Sequence, residues 1–318
     1  MATVTLNSQL TVAELAKRTL DGDIMHIAET VSEINEIMKN AVMVECQDAS
    51  KFTLNQRIKV PTGSFRRVNK GVATEASVTK QVDENCALLE GYSEIDQELA
   101  LESGNPDEFC NTEDRAFLEG LMQTFSTNLF YGNLTTNPER IEGFQPRYNS
   151  TGTMVKSASG TGSDTTSVYF VQWGKFRIHL IYPKGSKVGI SAEDLGKVTI
   201  IDTDSYYYEG YRTHFAFKHG LAVHDDRCFG RICNIESTGG SNLFDADLGI
   251  KILREMLEGA SGVVAYANAT VLAQVDIQAM DKGNVLYSIK DIFGEPVSHF
   301  RGVPFRQVDK ITITETAI

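Results

Sequence analysis

The chain has few cations, few cysteines and no long apolar run. Lys and Arg number 30 against 42 Asp and Glu, a net charge of -12 at pH 7. Each phosphate contact needs a cation that releases a counterion, so this balance excludes tight, extensive binding to nucleic acid. Cys46, Cys86, Cys110, Cys228 and Cys233 form an odd, scattered set. That is a poor disulfide framework and points to a reducing compartment. The opening MATVTLNSQLTVAELAKR lacks the apolar core of a signal peptide, and no segment approaches the ~18 apolar residues of a membrane span. A soluble protein that stays inside the cell making it is expected, and the sequons at Asn133, Asn149 and Asn268 are then incidental.

Catalytic signatures are missing as well. No His-Glu-x-x-His and no Gly-x-Ser-x-Gly occurs, which removes the anchors of a zinc protease and of a nucleophile elbow. Gly189 to Gly196-Lys197 has too many residues between its glycines for a phosphate loop and places Glu193 and Asp194 where phosphates would sit. His214, His219 and His224 recur at intervals that fit neither adjacent helix turns nor one strand face, so they do not converge from one element. His224 with Cys228 and Cys233 is the better metal candidate, although CFGRICNI reads as a strand with small buried thiols. Asp202 and Asp204 have calcium-loop spacing, but Tyr206 holds the next ligand position. Tyr206, Tyr207, Tyr208 and Tyr211 are flanked by acids, which favours packing or an interface over base stacking.

What is present is a chain of 318 residues, 42% hydrophobic and 23% charged, long enough for one large domain or two joined ones. Thr11 and Glu14 make a capping box before a short helix, and Ile24, Ile27, Ala28, Val31, Ile34 and Met38 line one face of a second. Phe52 to Val60 and Val72 to Val82 read as two strands of a long hairpin around PTGSFRRVNKG. A helix capped at Asn111 carries the stripe Phe117, Leu118, Leu121, Met122, Phe125 and Leu129 and stops at Gly132. Its rise of ~1.5 Å per residue makes it a spine of about 30 Å. Beyond Gly143 come a flexible SASGTGSDTTS insertion and the strands VYFVQW, FRIHLIY and KVTIID. Helices over 246–258 and 269–281 follow, then short C-terminal strands. No internal repeat or heptad array is visible.

The sharpest feature is local charge. LNQRIKVPTGSFRRVNKGV, residues 54–72, holds Arg57, Lys59, Arg66, Arg67 and Lys70 and no acid, whereas 83–119 holds twelve acids and the single cation Arg115. A solvated loop would account for the charges alone, and a nucleic-acid site would be opposed by the acids beside it. A hairpin cannot easily fold back on a helix that follows it so closely, but it can reach the same acidic belt on another copy. Such a head-to-tail contact closes into rings when its rotation allows, and points to a self-assembling structural protein.

The order of these segments resembles the major capsid proteins of tailed bacteriophages, the Hong Kong 97-like family. The residues that carry the resemblance are the VPTGSFRRVNKGV tip, the spine helix ending in LFYGN, NPERIEGFQPRYNS, VYFVQWGKFRIHLIYPKGS, GLAVHDDRCFGRICNI and FRGVPFRQVDKITITETAI. The resemblance implies an α+β fold with an N-terminal arm (1–51), an extended E-loop hairpin (52–90) and a peripheral domain with the spine helix (91–143). A mainly axial domain (144–284) and strands returning to the peripheral part (285–318) complete it. It implies a non-enzymatic subunit without cofactor or metal, building pentamers and hexamers of an icosahedral shell around double-stranded DNA in the host cytoplasm. Its partners would be itself, a separate scaffold, a portal and a decoration or cement protein, with no membrane. A separate scaffold is expected because helices beginning by Thr11 leave no room for a cleaved scaffolding segment. Some relatives weld subunits through a lysine; Lys59 and Lys70 are the candidates here, with no asparagine or acid partner identified. The expected contact joins Arg57, Lys59, Arg66, Arg67 and Lys70 to the Asp107, Glu108, Glu113, Asp114 and Glu119 of a neighbour. The alternatives are an encapsulin-like cargo shell and a metal-dependent enzyme using His224, Cys228 and Cys233.

Overall fold

Asn105-Pro106-Asp-Glu108 starts the long helix, well before the Asn111 expected from the sequence. In the computed structural model, which describes residues 19–20, 23–24, 36–202, 204–279, 287–292 and 295–318, this helix spans Pro106–Tyr131. The Asn105 Oδ1 accepts from the Glu108 amide at 3.5 Å while its Nδ2 donates to the Glu108 carboxylate at 3.0 Å. Proline at the first helical position has no amide to leave unpaired, so the two ends of the NPDE motif act together as a cap. The arm helices expected at Thr11 and over 24–38 lie largely outside the described residues. Within them, Asp23–Ile24 pairs with Thr19–Leu20, and Ile37–Lys39 is a 3-10 turn with Ile37 buried.

Contacts divide the chain into two units, neither of which is collinear with it. The first comprises residues 1–33, 88–126 and 187–218, the second 34–87, 127–186 and 219–318. In the first unit, Ile95, Leu99, Ala100 and Phe109 form a buried cluster. The long helix turns Phe125 edge-on to Phe217 and stacks Phe117 on Phe215. Strand Ile190–Ile201 runs antiparallel to Tyr207–Phe217 with a bulge between Asp194 and Lys197. The Asp202 carboxylate accepts from the amides of Asp204 and Tyr206 at 2.9 and 2.8 Å. The calcium-like spacing is therefore turn chemistry. Of the four tyrosines, Tyr206 and Tyr207 are exposed and Tyr211 packs on the buried cluster.

The second unit is built on a seven-stranded sheet. Its order is Tyr287–Ile292, Glu295–Phe300, Val303–Gln307, Val263–Ala267, Thr165–Gln172, Phe229–Glu236 and Val155–Ser157. Every residue of the central strand Thr165–Gln172 is buried, which fits its run of β-branched and aromatic residues interrupted only by Ser167 before the closing Gln172. Helices Ala246–Glu255 and Ala269–Ala279 supply Ile252, Leu253, Val271 and Val275 to the core shared with Val168, Phe170, Ile232 and Phe305. Helix Ala246–Glu255 can lie this close because the sheet carries Gly230 beneath it. A Cβ there would sit 2.2 Å from Ile252 Cγ2. The C-terminal strands belong to this same sheet, with Val303–Gln307 parallel to Val263–Ala267.

SASGTGSDTTS is not the flexible insertion its composition suggests. Its first residue, Ser157, ends the edge strand Val155–Ser157, its last three open the central strand, and Gly160 between them donates to the Asn234 carbonyl at 3.0 Å. Asp164 pins the turn by accepting from the Thr238 amide at 3.2 Å. Small polar residues are used here to let neighbouring backbones approach, a role that composition alone does not distinguish from disorder.

Candidate functional site

The basic hairpin forms as expected, with strands Lys51–Lys59 and Val78–Asn85 in antiparallel register from Lys51↔Asn85 outward. Its second strand begins later than the sequence suggested, so residues 60–77 make a still longer loop. The root is firmly held within the second unit. Phe52 and Leu54 enter a buried cluster with Cys46, Ile181 and Ala222. Gln56 donates to the carbonyls of Val223 and His224 at 3.3 and 3.0 Å. Lys51 pairs with Asp83 at 2.8 Å, and Arg147 takes Glu84 in a two-pronged contact at 2.5 and 2.7 Å.

Beyond Gln56 the character changes abruptly. Every residue from Arg57 to Gln81 is exposed. Arg57, Lys59, Arg66, Arg67 and Lys70 all lie on this projecting part, and none forms an ion pair among the described residues. Arg66 instead donates to the Lys70 carbonyl at 3.2 Å, which shapes the tip. Interleaved with the cations are exposed apolar side chains, Ile58, Val60, Phe65 at 110% and Val68 at 87% of their free accessibility. Such a patch has no reason to exist in a chain that works alone. The sequence pattern signals the cations; that Phe65 and Val68 stand in water with them emerges only from the structure.

The expected acidic counterpart is mixed. Asp107 and Glu108 lie exposed in the first turn of the long helix, where its dipole favours negative charge. Asp114 is half-buried and accepts from Thr213 Oγ1 at 3.0 Å, and Glu119 is half-buried and accepts from Gln123 at 3.2 Å. Glu113 is only 9% exposed in its own chain. Other belt acids are already occupied: besides Asp83 and Glu84, Glu94 pairs with Arg212 at 2.6 Å and Glu90 faces His214 at 3.7 Å. Lys51, Arg147 and Arg212, which pair with Asp83, Glu84 and Glu94, lie outside the belt, which is why a local count overstated its free charge.

Behind the root sit His179 and His224, ring centroids 5.0 Å apart, with Phe52 edge-on to both. Burial, with His224 beside it, pushes His179 down to about 4. Its folded value lies below the ordinary 6.5, so the unfolded chain binds the extra proton between those limits. Stability is full above about pH 6.5 and falls as pH drops towards 4, by about 2–3 kcal/mol for this group. Urea unfolding across that range should show the loss, and His179→Phe should flatten it; an unchanged slope in the variant would assign the loss elsewhere.

Among the described residues, no group of three or more His, Cys, Asp or Glu side chains is placed to hold a metal. His224, Cys228 and Cys233 are not brought together as ligands, and burial raises both thiols, Cys228 to about 11. No helix among the described residues is long and apolar enough to cross a membrane.

An exposed basic hairpin carried on a helix-and-sheet core fits a shell-forming subunit. The chain belongs to the major capsid protein GP7 family, whose profile matches residues 19–318. It is similar to a chain in the structure of bacteriophage Epsilon15, with 27% identity over 100% of this chain and 99% of that one, at a TM-score of 0.76. The capsid of bacteriophage JBD30 shares the fold at 8% identity, covering 96% and 100%, with a TM-score of 0.53. The SrpI encapsulin of Synechococcus elongatus PCC 7942 is more distant, at 10% identity over 73% and 98% with a TM-score of 0.48. Comparison with curated proteins finds no match. The protein is a major capsid protein of a tailed phage, with the Hong Kong 97-like α+β fold, and it forms an icosahedral capsid.

Proposed function

We propose that the projecting hairpin is the part that joins one subunit to the next. Its cations Arg57, Lys59, Arg66, Arg67 and Lys70 dock on the acidic face of a neighbouring copy, where Asp107 and Glu108 lead and Asp114 and Glu119 flank. Glu113 adds its charge from below that surface. The observation that carries the reading is the exposure of the whole segment from Arg57 to Gln81, cations and apolar side chains together, on a chain of net charge -12. Head-to-tail contacts of this kind close into rings, which supports pentamers and hexamers as the building units. Each exposed pair contributes little, ~0–1 kcal/mol, so the strength comes from repetition around the shell.

The net negative charge suits a container for double-stranded DNA, because the duplex must slide past the wall without adhering. A separate scaffold and a portal complete the assembly, which takes place in the host cytoplasm. Arg66→Glu with Arg67→Glu tests the docking. The double variant should give a folded, soluble subunit by circular dichroism and no shells by sedimentation and electron microscopy. Shells at the wild-type yield would overturn it.

A further inference from the structure

Two thiols flank the hairpin root and touch. Cys46 Sγ and Cys86 Sγ are 3.4 Å apart, and among the described residues no other pair of cysteines is in such contact. Both backbones are fixed: the Cys46 amide donates to the Tyr182 carbonyl and the Cys86 amide to the Ser50 carbonyl, each at 2.9 Å. Cys46 follows strand Met43–Glu45 and Cys86 follows strand Val78–Asn85, so the pair brackets the entire hairpin. A sulfur–sulfur bond of ~2.05 Å requires the two atoms to close by about 1.4 Å.

We propose that Cys46 and Cys86 form a reversible disulfide that staples the hairpin root, made by exchange with a small-molecule disulfide such as oxidised glutathione. The order of events follows from access. Cys86 is half-buried, whereas Cys46 is 3% exposed and packed against Phe52, Leu54 and Ile181. The Cys86 thiolate attacks the reagent, its S–S bond breaks, and one glutathione leaves as a thiolate that takes up a proton. Cys46 then loses its proton and attacks the Cys86 sulfur of the mixed disulfide, expelling the second glutathione. Two protein thiols are oxidised to one disulfide, and one glutathione disulfide is reduced to two thiols. Burial raises both protein thiols above their ordinary range, so exchange is slow at neutral pH and quickens as pH rises. The pair thus stays reduced in a thiol-rich compartment and closes in an oxidising one. The inference rests on the root of the hairpin and not on where its tip docks.

The test is to incubate the full-length folded chain with oxidised glutathione at mildly alkaline pH, block free thiols, digest without reductant and read the peptides by mass spectrometry. A Cys46–Cys86 linked pair, reversed by dithiothreitol, is expected. Amide exchange at the first and last residues of the hairpin should slow by about tenfold or more. Cys46→Ser should stop the reaction at a glutathione adduct on Cys86, and Cys86→Ser should leave Cys46 unmodified. Wild-type chain with Cys86 carrying glutathione and Cys46 still free, with both thiols free after prolonged incubation, or cross-linked only once unfolded in urea, would overturn the proposal.

Discussion

Replacing Glu315 with alanine should lower the stability of the second unit by about 3–5 kcal/mol, the cost of leaving one buried charge without its partner. The charge in question is Arg231, 0% exposed on the strand of the seven-stranded sheet that lies between the central strand and the edge strand Val155–Ser157. Its guanidinium reaches Glu315 at 2.8 Å, Ser167 Oγ at 3.1 Å and the Tyr148 carbonyl at 3.0 Å. Glu315 in turn accepts from Tyr131 at 2.6 Å and Tyr169 at 3.0 Å, and burial together with this carboxylate raises both phenols. Alanine at 315 leaves a guanidinium and three hydroxyls, those of Tyr131, Tyr169 and Ser167, without their acceptor in the core. Arg231→Met combined with Glu315→Leu should regain at least half of the loss, since it removes both charges and leaves only the hydroxyls unmatched. Urea unfolding followed by circular dichroism measures both variants. A single variant within about 1 kcal/mol of wild type would show that water reaches the arginine.

Gly132→Ala and Gly120→Ala, on and just past the same helix, should act with opposite signs. A Cβ on Gly132 would lie 2.4 Å from the Asn128 and Ile141 carbonyl oxygens. Those are backbone atoms, and they are bound into the turn through Gly132 N to Asn128 O and Gly143 N to Gly132 O, both at 2.8 Å. The chain has to move, and a loss of about 3 kcal/mol or more is expected. At Gly120 nothing lies within 4 Å of the added Cβ, so alanine only removes glycine's entropic cost in a helix and should stabilise by about 0.5–1 kcal/mol. Thermal unfolding of the two variants side by side decides the matter. Equal shifts would mean that LFYGN ends the helix for reasons other than crowding.

Much of this architecture is written in short-range signals. The hairpin, the helix stop at Gly132 and the strands around VYFVQW and FRIHLIY follow from periodicity and turn residues, and the order of segments carries the capsid family. The start of the long helix is misplaced by the reading at Asn111, although Asn105, Pro106 and Glu108, at the cap, first and third positions, carry a start signal of their own. What the sequence does not disclose is pairing at a distance. Arg147 with Glu84, Arg212 with Glu94 and Arg231 with Glu315 are each separated by tens of residues, so the acids near residue 90 look unbalanced and Arg231 looks like a surface cation. Phe65 and Val68 are similar: they sit in the turn PTGSFRRVNKG, where the pattern signals the cations, and only the structure shows both apolar side chains standing exposed beside them.

The pairing of Arg231 with Glu315 also sets a clock. The two residues are 84 positions apart, and at ~5–20 residues per second a ribosome needs several seconds to travel from one codon to the other. Throughout that interval the arginine has no carboxylate to meet it, and for its first part the central strand Thr165–Gln172 also lacks its neighbour Val263–Ala267. The strand pairing of the hairpin, by contrast, closes within its own short segment and is translated before that body. A nascent chain therefore exposes the hairpin tip before its body has closed, and on the docking proposed above polysomes crowded on one message would bring tips together while the surfaces they meet are still unfinished.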